Sequence, residues 1–156
     1  MSFTYHNDAA KTASAIDDHG WSTYGDLGHV DSDGYLYISD RRADLIVTGG
    51  VNVYPLEIEN VLAVHPSICD VAVVGVPDPV YGEHIKTVVQ LKADYIGRVS
   101  VADLQAFCAS QLSKLKCPRS IDFTMTLPRN ESGKLLRRVL KEQYRTTPLS
   151  RQTHKQ

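Results

Sequence analysis

The feature that most constrains the fold of this sequence is the run of residues 68–76, Ile-Cys-Asp-Val-Ala-Val-Val-Gly-Val. A short and nearly continuous apolar run is typical of a strand that is buried on both of its faces. We therefore predict a central β-strand here. The chain has 156 residues, which is enough for one domain with its own core and too few for two full domains.

Turn and cap signals predict further elements around this strand. Pro55 suggests the start of a helix, because proline suits the first helical position. Ser100 and Asp103 have the spacing of a capping box at the start of a second helix. Strands are predicted at 84–91 and 121–127. A last helix is predicted at 135–144, with its inward face formed by Leu136, Val139, Leu140 and Tyr144.

Two further segments have the pattern of β-hairpins. Asp31-Ser32-Asp33-Gly34 is a hairpin turn in which Gly34 can take a positive φ, and Gly49-Gly50 separates two short apolar strands. The order of elements from about residue 45 predicts an α+β fold. We expect a small, mainly antiparallel three-stranded sheet with helices packed on one side of it, plus a short β-hairpin.

Composition narrows the classes of function. The net charge of −1 gives no overall electrostatic attraction to nucleic acid or to a membrane surface. The sequence contains no run of about 18 apolar residues, so no transmembrane helix is predicted. The three cysteines have no metal-site spacing, and neither do the histidines, so no metal ligand is assigned. Cys69 and Cys108 lie in apolar patterns, so we expect buried thiols and a reducing, cytoplasmic location.

Candidate binding residues lie near the start of the chain. Asp26 follows a glycine in a polar turn, where its carboxylate could accept two hydroxyl groups of a ribose; a turn-forming aspartate is the alternative. Arg41 has a side chain suited to planar, bidentate recognition of phosphate or hydroxyl groups, and a surface ion pair is the alternative.

Two later features could carry chemistry. Gly49-Gly50 leaves backbone exposed for a thin substrate, although the local pattern favours a plain hairpin turn. Lys134 follows a Ser-Gly step, so its ammonium could enter a site formed elsewhere, or it could simply be solvated. A basic face beside Lys134 could hold phosphates or be solvated as well; it comprises Arg137, Arg138 and Lys141.

Three segments in the same order and spacing resemble the adenylate-forming superfamily, which contains acyl-CoA synthetases, firefly luciferases and the adenylation domains of peptide synthetases. Residues 25–62, GDLGHVDSDGYLYISDRRADLIVTGGVNVYPLEIENVL, are similar to the junction that precedes its C-terminal domain. Residues 128–140, PRNESGKLLRRVL, resemble its final motif, and residues 71–92 resemble the stretch between the two.

The resemblance implies a two-step reaction that uses ATP, coenzyme A and a Mg²⁺ ion held by the nucleotide phosphates. A small-molecule carboxylic acid is first adenylated, and the thiol of coenzyme A then displaces AMP. By position, Asp26 would bind the ribose with help from Arg41, and Lys134 would serve adenylation. Ala43 would be the hinge, where the family usually has Asp or Lys, and Gly49-Gly50 would line the channel for the thiol-bearing arm.

The resemblance also implies a division of the chain. Residues 1–41 would be the end of a large N-terminal adenylation domain, residues 42–145 the mobile C-terminal domain, and residues 146–156 a frayed tail. The missing N-terminal part would be the main partner, and the exposed former interface could promote a homodimer. We expect the chain alone to be inactive.

Two other functions compete with this hypothesis. The chain could be a free-standing interaction module that docks a ligase core or an acyl carrier protein without catalysis of its own. Nucleic-acid binding through the basic face of the last helix is the other alternative, and the net charge of −1 argues against it.

Overall fold

A computed structural model describes residues 3–145, which form parts of two compact units, Met1–Ala43 and Asp44–Gln156. The tail expected to fray, residues 146–156, lies outside the described residues. Each unit is described by itself below.

The first unit is built on a β-hairpin. A short helix α1, Ala9–Ser14, precedes strands β1, Asp26–Val30, and β2, Leu36–Arg41, which pair antiparallel. The turn between the strands forms as predicted: the Asp31 carboxylate accepts hydrogen bonds from the amides of Asp33 and Tyr35, and Gly34 has φ +87°. The hairpin exposes large apolar side chains, among them Tyr35, Leu36 and Ile38.

The second unit has an α+β fold, which confirms the predicted fold class. Its strands are β3 (Ile46–Thr48), β4 (Val51–Val53), β5 (Ile68–Asp78), β6 (Gly82–Leu91) and β7 (Ser120–Thr124). Its helices are α2 (Pro55–Ala63), α3 (Val101–Ala109) and α4 (Arg137–Arg145), with single 3₁₀ turns at Ala93–Tyr95 and Lys114–Lys116. The capping box of Ser100 and Asp103 is present at the start of α3, as predicted.

The sheet is mainly antiparallel, with the strand order β4-β3-β6-β5 and β7 beside β6. The predicted separate hairpin, β3–β4, joins the sheet because Thr48 pairs with Gly82, so the sheet has five strands. The pair β6–β7 is parallel, since the chain crosses from one strand to the other through α3.

The expectation that residues 68–76 form the central strand is wrong in one respect. β6 is central, because β5 lies on one of its edges and β3 and β7 lie on the other. β5 is buried on both faces although it lies at a sheet edge, because helices cover both of its faces. A nearly continuous apolar pattern indicates that both faces of a strand are buried, but it does not indicate how many strands lie beside it.

Alternate residues of β5 face two separate parts of the core, because successive strand side chains point to opposite faces. Val71 and Val73 pack in a cluster with α2 and α3, whereas Ala72 and Val74 pack in a cluster with α4. The helices therefore lie on both sides of the sheet, and the prediction of one side was wrong.

The last helix and one cysteine also differ from expectation. α4 buries Leu140 and Tyr144 as predicted, but Leu136 and Val139 are 38% and 43% exposed. Cys108 is buried as expected, whereas Cys69 is exposed, because the strand pairing is irregular between Ile68 and Asp70. Within residues 3–145, no helix combines the length and the apolar character that crossing a membrane would require.

A glycine in β5 gives room to a carboxylate. A Cβ atom on Gly75 would lie 2.6 Å from Oε1 of Glu83, so the glutamate side chain occupies the space beside this glycine. The other oxygen of Glu83, Oε2, accepts a hydrogen bond of 2.9 Å from the amide of Val47. The Glu83 side chain therefore holds β3 against the β5–β6 pair.

One buried histidine predicts a dependence of stability on pH. His84 is 1% exposed, and burial lowers its pKa below the ordinary value of 6.5, an effect that the nearby Asp78 carboxylate only partly offsets. Arg119 and Lys86 also lower it. The unfolded chain therefore takes up a proton at a higher pH than the folded chain, and the free energy of unfolding should fall as the pH drops below about 6.5.

This dependence is measured by urea denaturation of the whole chain at several pH values between about 7.5 and 5.5. His84→Gln should flatten the decline in stability over this range, whereas His19→Gln, which changes an exposed histidine, should not. An equally steep decline in His84→Gln would contradict the assignment.

Candidate functional site

The first unit brings together two residues that the sequence singled out. Asp26 and Arg41 face each other across the β1–β2 pair, and Nε of Arg41 lies 3.3 Å from Oδ1 of Asp26. Both side chains are accessible, at 41% and 69% exposure for Asp26 and Arg41 respectively. The pair offers a carboxylate that accepts hydrogen bonds beside a guanidinium that donates them, which suits a ligand with hydroxyl groups.

Ala43 lies in the turn at residues 42–44 and is the last residue of the first unit. The next residue, Asp44, is attached to the last helix of the second unit: its carboxylate lies 3.5 Å from Nε of Arg137 and 3.8 Å from Nζ of Lys141. The packing of the second unit thus begins at Asp44, directly after Ala43.

Gly49 and Gly50 form the turn between β3 and β4, with φ values of +55° and +80°. Two positive φ angles are what a tight two-residue hairpin requires. The amide of Gly49 donates a hydrogen bond of 3.0 Å to the carbonyl of Tyr81, and a Cβ atom on Gly49 would lie 3.3 Å from the Tyr81 ring. Gly50 has open space around it. The turn therefore presents exposed backbone that rests on Tyr81.

Asp78 organises the loop that carries Tyr81. Its Oδ1 accepts hydrogen bonds of 2.9 Å from the amides of both Val80 and Tyr81, and its Oδ2 accepts one of 2.7 Å from Arg119. These bonds lower the pKa of the Asp78 carboxyl, the amide of Tyr81 contributing most. The Arg119 guanidinium also lies over the Tyr81 ring, 4.6 Å from its centre.

Lys134 lies in a closely bonded loop that begins at Pro128. The backbone N–H of Asn130 donates a hydrogen bond of 3.0 Å to the backbone carbonyl of Lys134. The side-chain Oδ1 of Asn130 accepts one of 2.8 Å from the backbone N–H of Lys134. Gly133 permits this turn with φ +78°. The Lys134 side chain is exposed, and no carboxylate among residues 3–145 lies within ion-pair distance of its ammonium. The lysine is therefore an accessible cation on a fixed backbone.

The Gly49-Gly50 turn and the Lys134 loop are not close together. The turn rests on Tyr81, between β5 and β6, whereas the Lys134 loop is attached through Arg129 to Asp70 near the opposite end of β5. Eight residues of extended strand separate Asp70 from Asp78, which corresponds to about 26 Å. The second unit thus carries two candidate functional features at opposite ends of one hairpin.

Part of the basic face of α4 is occupied by internal contacts. Arg137 binds Glu59 through two hydrogen bonds of 2.6 and 2.9 Å, and its side chain is only 17% exposed. Glu59 also accepts a hydrogen bond from the amide of Val73. Arg137 therefore joins α4 to α2 and β5, and the alternative of a phosphate- or nucleic-acid-binding face loses one of its three members.

Sequence reasoning did not identify the supporting residues Asp70, Asp78, Arg119 and Arg129. Asp78 and Arg119 are 41 residues apart in the chain, and Asp70 and Arg129 are 59 residues apart. No local sequence pattern therefore marks either pair. Within residues 3–145, no group of three or more His, Cys, Asp and Glu side chains is arranged to hold a metal ion.

Comparison with known proteins places the chain in a family. Residues 57–134 match the AMP-binding enzyme C-terminal domain. The chain is 40% identical over 143 residues to the long-chain-fatty-acid–CoA ligase FadD13 of Mycobacterium tuberculosis, an alignment that covers 92% of this chain and 28% of the ligase.

Solved structures agree with this match. The crystal structure of ATP-bound MatB from Rhodopseudomonas palustris is similar with a TM-score of 0.82 and 37% identity, over 90% of this chain and 27% of that chain. O-succinylbenzoate coenzyme A synthetase (MenE) from Bacillus subtilis, in complex with ATP and a magnesium ion, is similar with a TM-score of 0.76 and 38% identity, over 88% of this chain and 28% of that chain.

The chain therefore spans little more than a quarter of the length of these relatives. The family match, the identity and the shared fold together confirm the resemblance noted in the sequence. The chain belongs to the AMP-binding enzyme C-terminal domain family, and corresponds to the C-terminal part of AMP-binding acyl-CoA ligases.

Proposed function

We propose that this chain acts as the C-terminal part of an ATP-dependent, AMP-forming acyl-CoA ligase. In the first step a carboxylate oxygen attacks the α-phosphorus of ATP, and pyrophosphate leaves. In the second step the sulfur of coenzyme A attacks the acyl carbon, and AMP leaves. Lys134 serves the first step, and the Gly49-Gly50 turn serves the second.

The observation that carries this proposal is the separation of these two features within the second unit. They are attached near opposite ends of the β5–β6 hairpin, close to Asp70 and Asp78, which are about 26 Å apart by strand length. One reaction centre would therefore meet them in turn. A domain that presents one end for adenylation and the other for thioester formation needs such an arrangement. The exposed ammonium of Lys134 can stabilise charge that develops between carboxylate and phosphate.

The first unit supplies the nucleotide contacts in this proposal. Asp26 accepts the ribose hydroxyl groups, and Arg41, 3.3 Å away, assists it. Residues 1–41 belong to the large adenylation domain, and residues 42–145 move as the C-terminal domain. Ala43 is the hinge, a role supported by the attachment of the next residue, Asp44, to α4.

ATP, coenzyme A and Mg²⁺ are the reactants and the ion that this reaction requires, with Mg²⁺ held by the ATP phosphates. Two similar structures contain ATP, one of them with magnesium. The named relatives differ in their acyl groups, a long-chain fatty acid in one and O-succinylbenzoate in another. The proposal therefore covers the class of carboxylic acids and no single acid.

A fusion protein tests the proposal. The FadD13 ligase of M. tuberculosis has its matching C-terminal segment replaced by this chain, and the truncated ligase serves as the control. The fusion should form acyl-CoA from a long-chain fatty acid, ATP and coenzyme A, whereas the truncated ligase should not. A folded fusion without turnover would contradict the proposal. Binding of this chain to the truncated ligase without turnover would favour an interaction module.

Lys134→Ala in this fusion should abolish adenylation selectively. Loss of one preorganised charge on the transition state costs about 10²–10³ in rate, so pyrophosphate exchange into ATP should fall by about that factor. Thioester formation from preformed acyl-adenylate should continue at the rate of the parent. Arg145→Ala is the matched control, since it also removes one exposed positive charge, at the C-terminal end of α4. Equal loss of both steps would rule out separate roles for the two ends.

Gly49→Ala should have the opposite effect on the two steps. The new Cβ lies 3.3 Å from the Tyr81 ring on a backbone with positive φ, so the turn must shift at the end that serves the thiol. Thioester formation should slow while pyrophosphate exchange is retained. Gly50→Ala imposes a similar backbone strain of about 1–2 kcal/mol without meeting a neighbour, and it isolates the contact with Tyr81. A larger loss of exchange than of thioester formation would contradict the role.

A further inference from the structure

We propose that Arg129 is a positioning residue for Lys134, and that Arg129 and Asp70 together clamp the loop that carries the lysine. The inference rests on the proposed role of Lys134 in adenylation. It assigns a function to an ion pair that lies outside the nucleotide, hinge and thiol-channel residues named above.

Arg129 uses three of its nitrogen atoms in this clamp. Nε donates to Oδ2 of Asp70 at 3.0 Å, and Nη2 donates to both carboxylate oxygens, at 2.9 and 2.7 Å. Nη1 donates to the carbonyl of Gly133 at 2.6 Å. The planar guanidinium therefore binds the carboxylate with one edge and the loop backbone with the remaining nitrogen, which fixes its own orientation.

The carbonyl that Arg129 binds belongs to the peptide group that joins Gly133 to Lys134. The N–H of the same peptide group donates to Oδ1 of Asn130 at 2.8 Å. Both polar ends of this planar group are thus held, one by Arg129 and the other by Asn130. Since Gly133 is otherwise free to rotate, these two bonds determine the direction in which the backbone presents Lys134.

Asp70 connects this loop to a rigid part of the sheet. It lies in β5 opposite Gln90 of β6, and its Oδ1 also accepts a hydrogen bond of 2.9 Å from the amide of Val71. Ile68 and Val71, on either side of it in β5, are in the core. The loop is therefore fixed to the β5–β6 pair, and relative to this pair Lys134 moves only through its own side chain.

An exposed ion pair alone contributes little to stability, and such a pair needs no function. The Arg129–Asp70 pair differs because it holds the backbone of a reactive residue, where a misplacement of 1 Å can cost about 100-fold in rate. Lysine cannot replace Arg129 in this geometry, because a single ammonium cannot bind the carboxylate in bidentate fashion and also reach the carbonyl.

Backbone dynamics of the whole chain provide the first test. In Arg129→Ala and Arg129→Lys, the ¹⁵N order parameters of Gly133 and Lys134 should fall from the rigid range near ~0.85 to below ~0.6. Those of Val73 and Val89 in the core should not change, which shows that the variants fold. Arg145→Ala, which breaks an exposed pair on α4, should leave the loop rigid. A rigid loop in both Arg129 variants would overturn the inference, whatever the fate of the proposed function.

Half-reactions of the FadD13 fusion provide the second test. Arg129→Ala, Arg129→Lys and Asp70→Asn should lower the rate of pyrophosphate exchange by about 10- to 100-fold, with thioester formation from preformed acyl-adenylate retained. Unchanged exchange in these variants, where Lys134→Ala abolishes it, would overturn the positioning role alone. Undiminished exchange in Lys134→Ala would instead overturn the proposed function. A purely structural pair would lower both half-reactions together.

Discussion

The antiparallel pair of β5 and β6 is the interaction on which the second unit depends. Its paired residues run from Ile68 opposite Leu91 to Asp78 opposite Gly82. The hairpin β3–β4 and the parallel strand β7 attach to β6, while α2 and α4 pack on the two faces of β5. Each candidate functional loop is also fixed to one end of this pair. The distance between the two ends of the hairpin that carry these candidate loops is therefore set by strand geometry, which hardly changes with side-chain motion.

The sequence predicted those parts of the fold that local chemistry decides. The capping box at Ser100 and the positive φ of Gly34 depend on a few neighbouring residues, and both are present. The strand partners depend on contacts between distant segments. The apolar run 68–76 shows burial but cannot show that β5 is a sheet edge, and nothing near Thr48 indicates its pairing with Gly82. Burial on α4 was assigned to too many residues: Leu136 precedes the helix, which begins at Arg137, and Val139 lies within the helix but is exposed.

The sequence pointed to candidate site residues, whose roles stay predictions, and did not point to the residues that support them. Asp26, Arg41, Gly49, Gly50 and Lys134 stood out because their residue types suit nucleotide or thiol chemistry, and their motifs match a known family. The charged pair that holds the loop of Lys134 joins distant segments, since Asp70 and Arg129 are 59 residues apart. Charge patterning of α4 suggested a ligand-binding face, whereas the structure uses Arg137 for internal attachment. Internal pairing of charges requires knowledge of the fold.

Gly75 shows how the packing of one small residue limits the variation of another. The glycine sits in the middle of an apolar strand, where a larger side chain would ordinarily add buried surface. Because the Glu83 carboxylate fills the adjacent space and holds Val47, any larger residue at 75 would displace it. Mutational drift at position 75 is therefore coupled to position 83: a larger residue at 75 moves the glutamate carboxylate away from Val47, and β3 must then be secured in some other way.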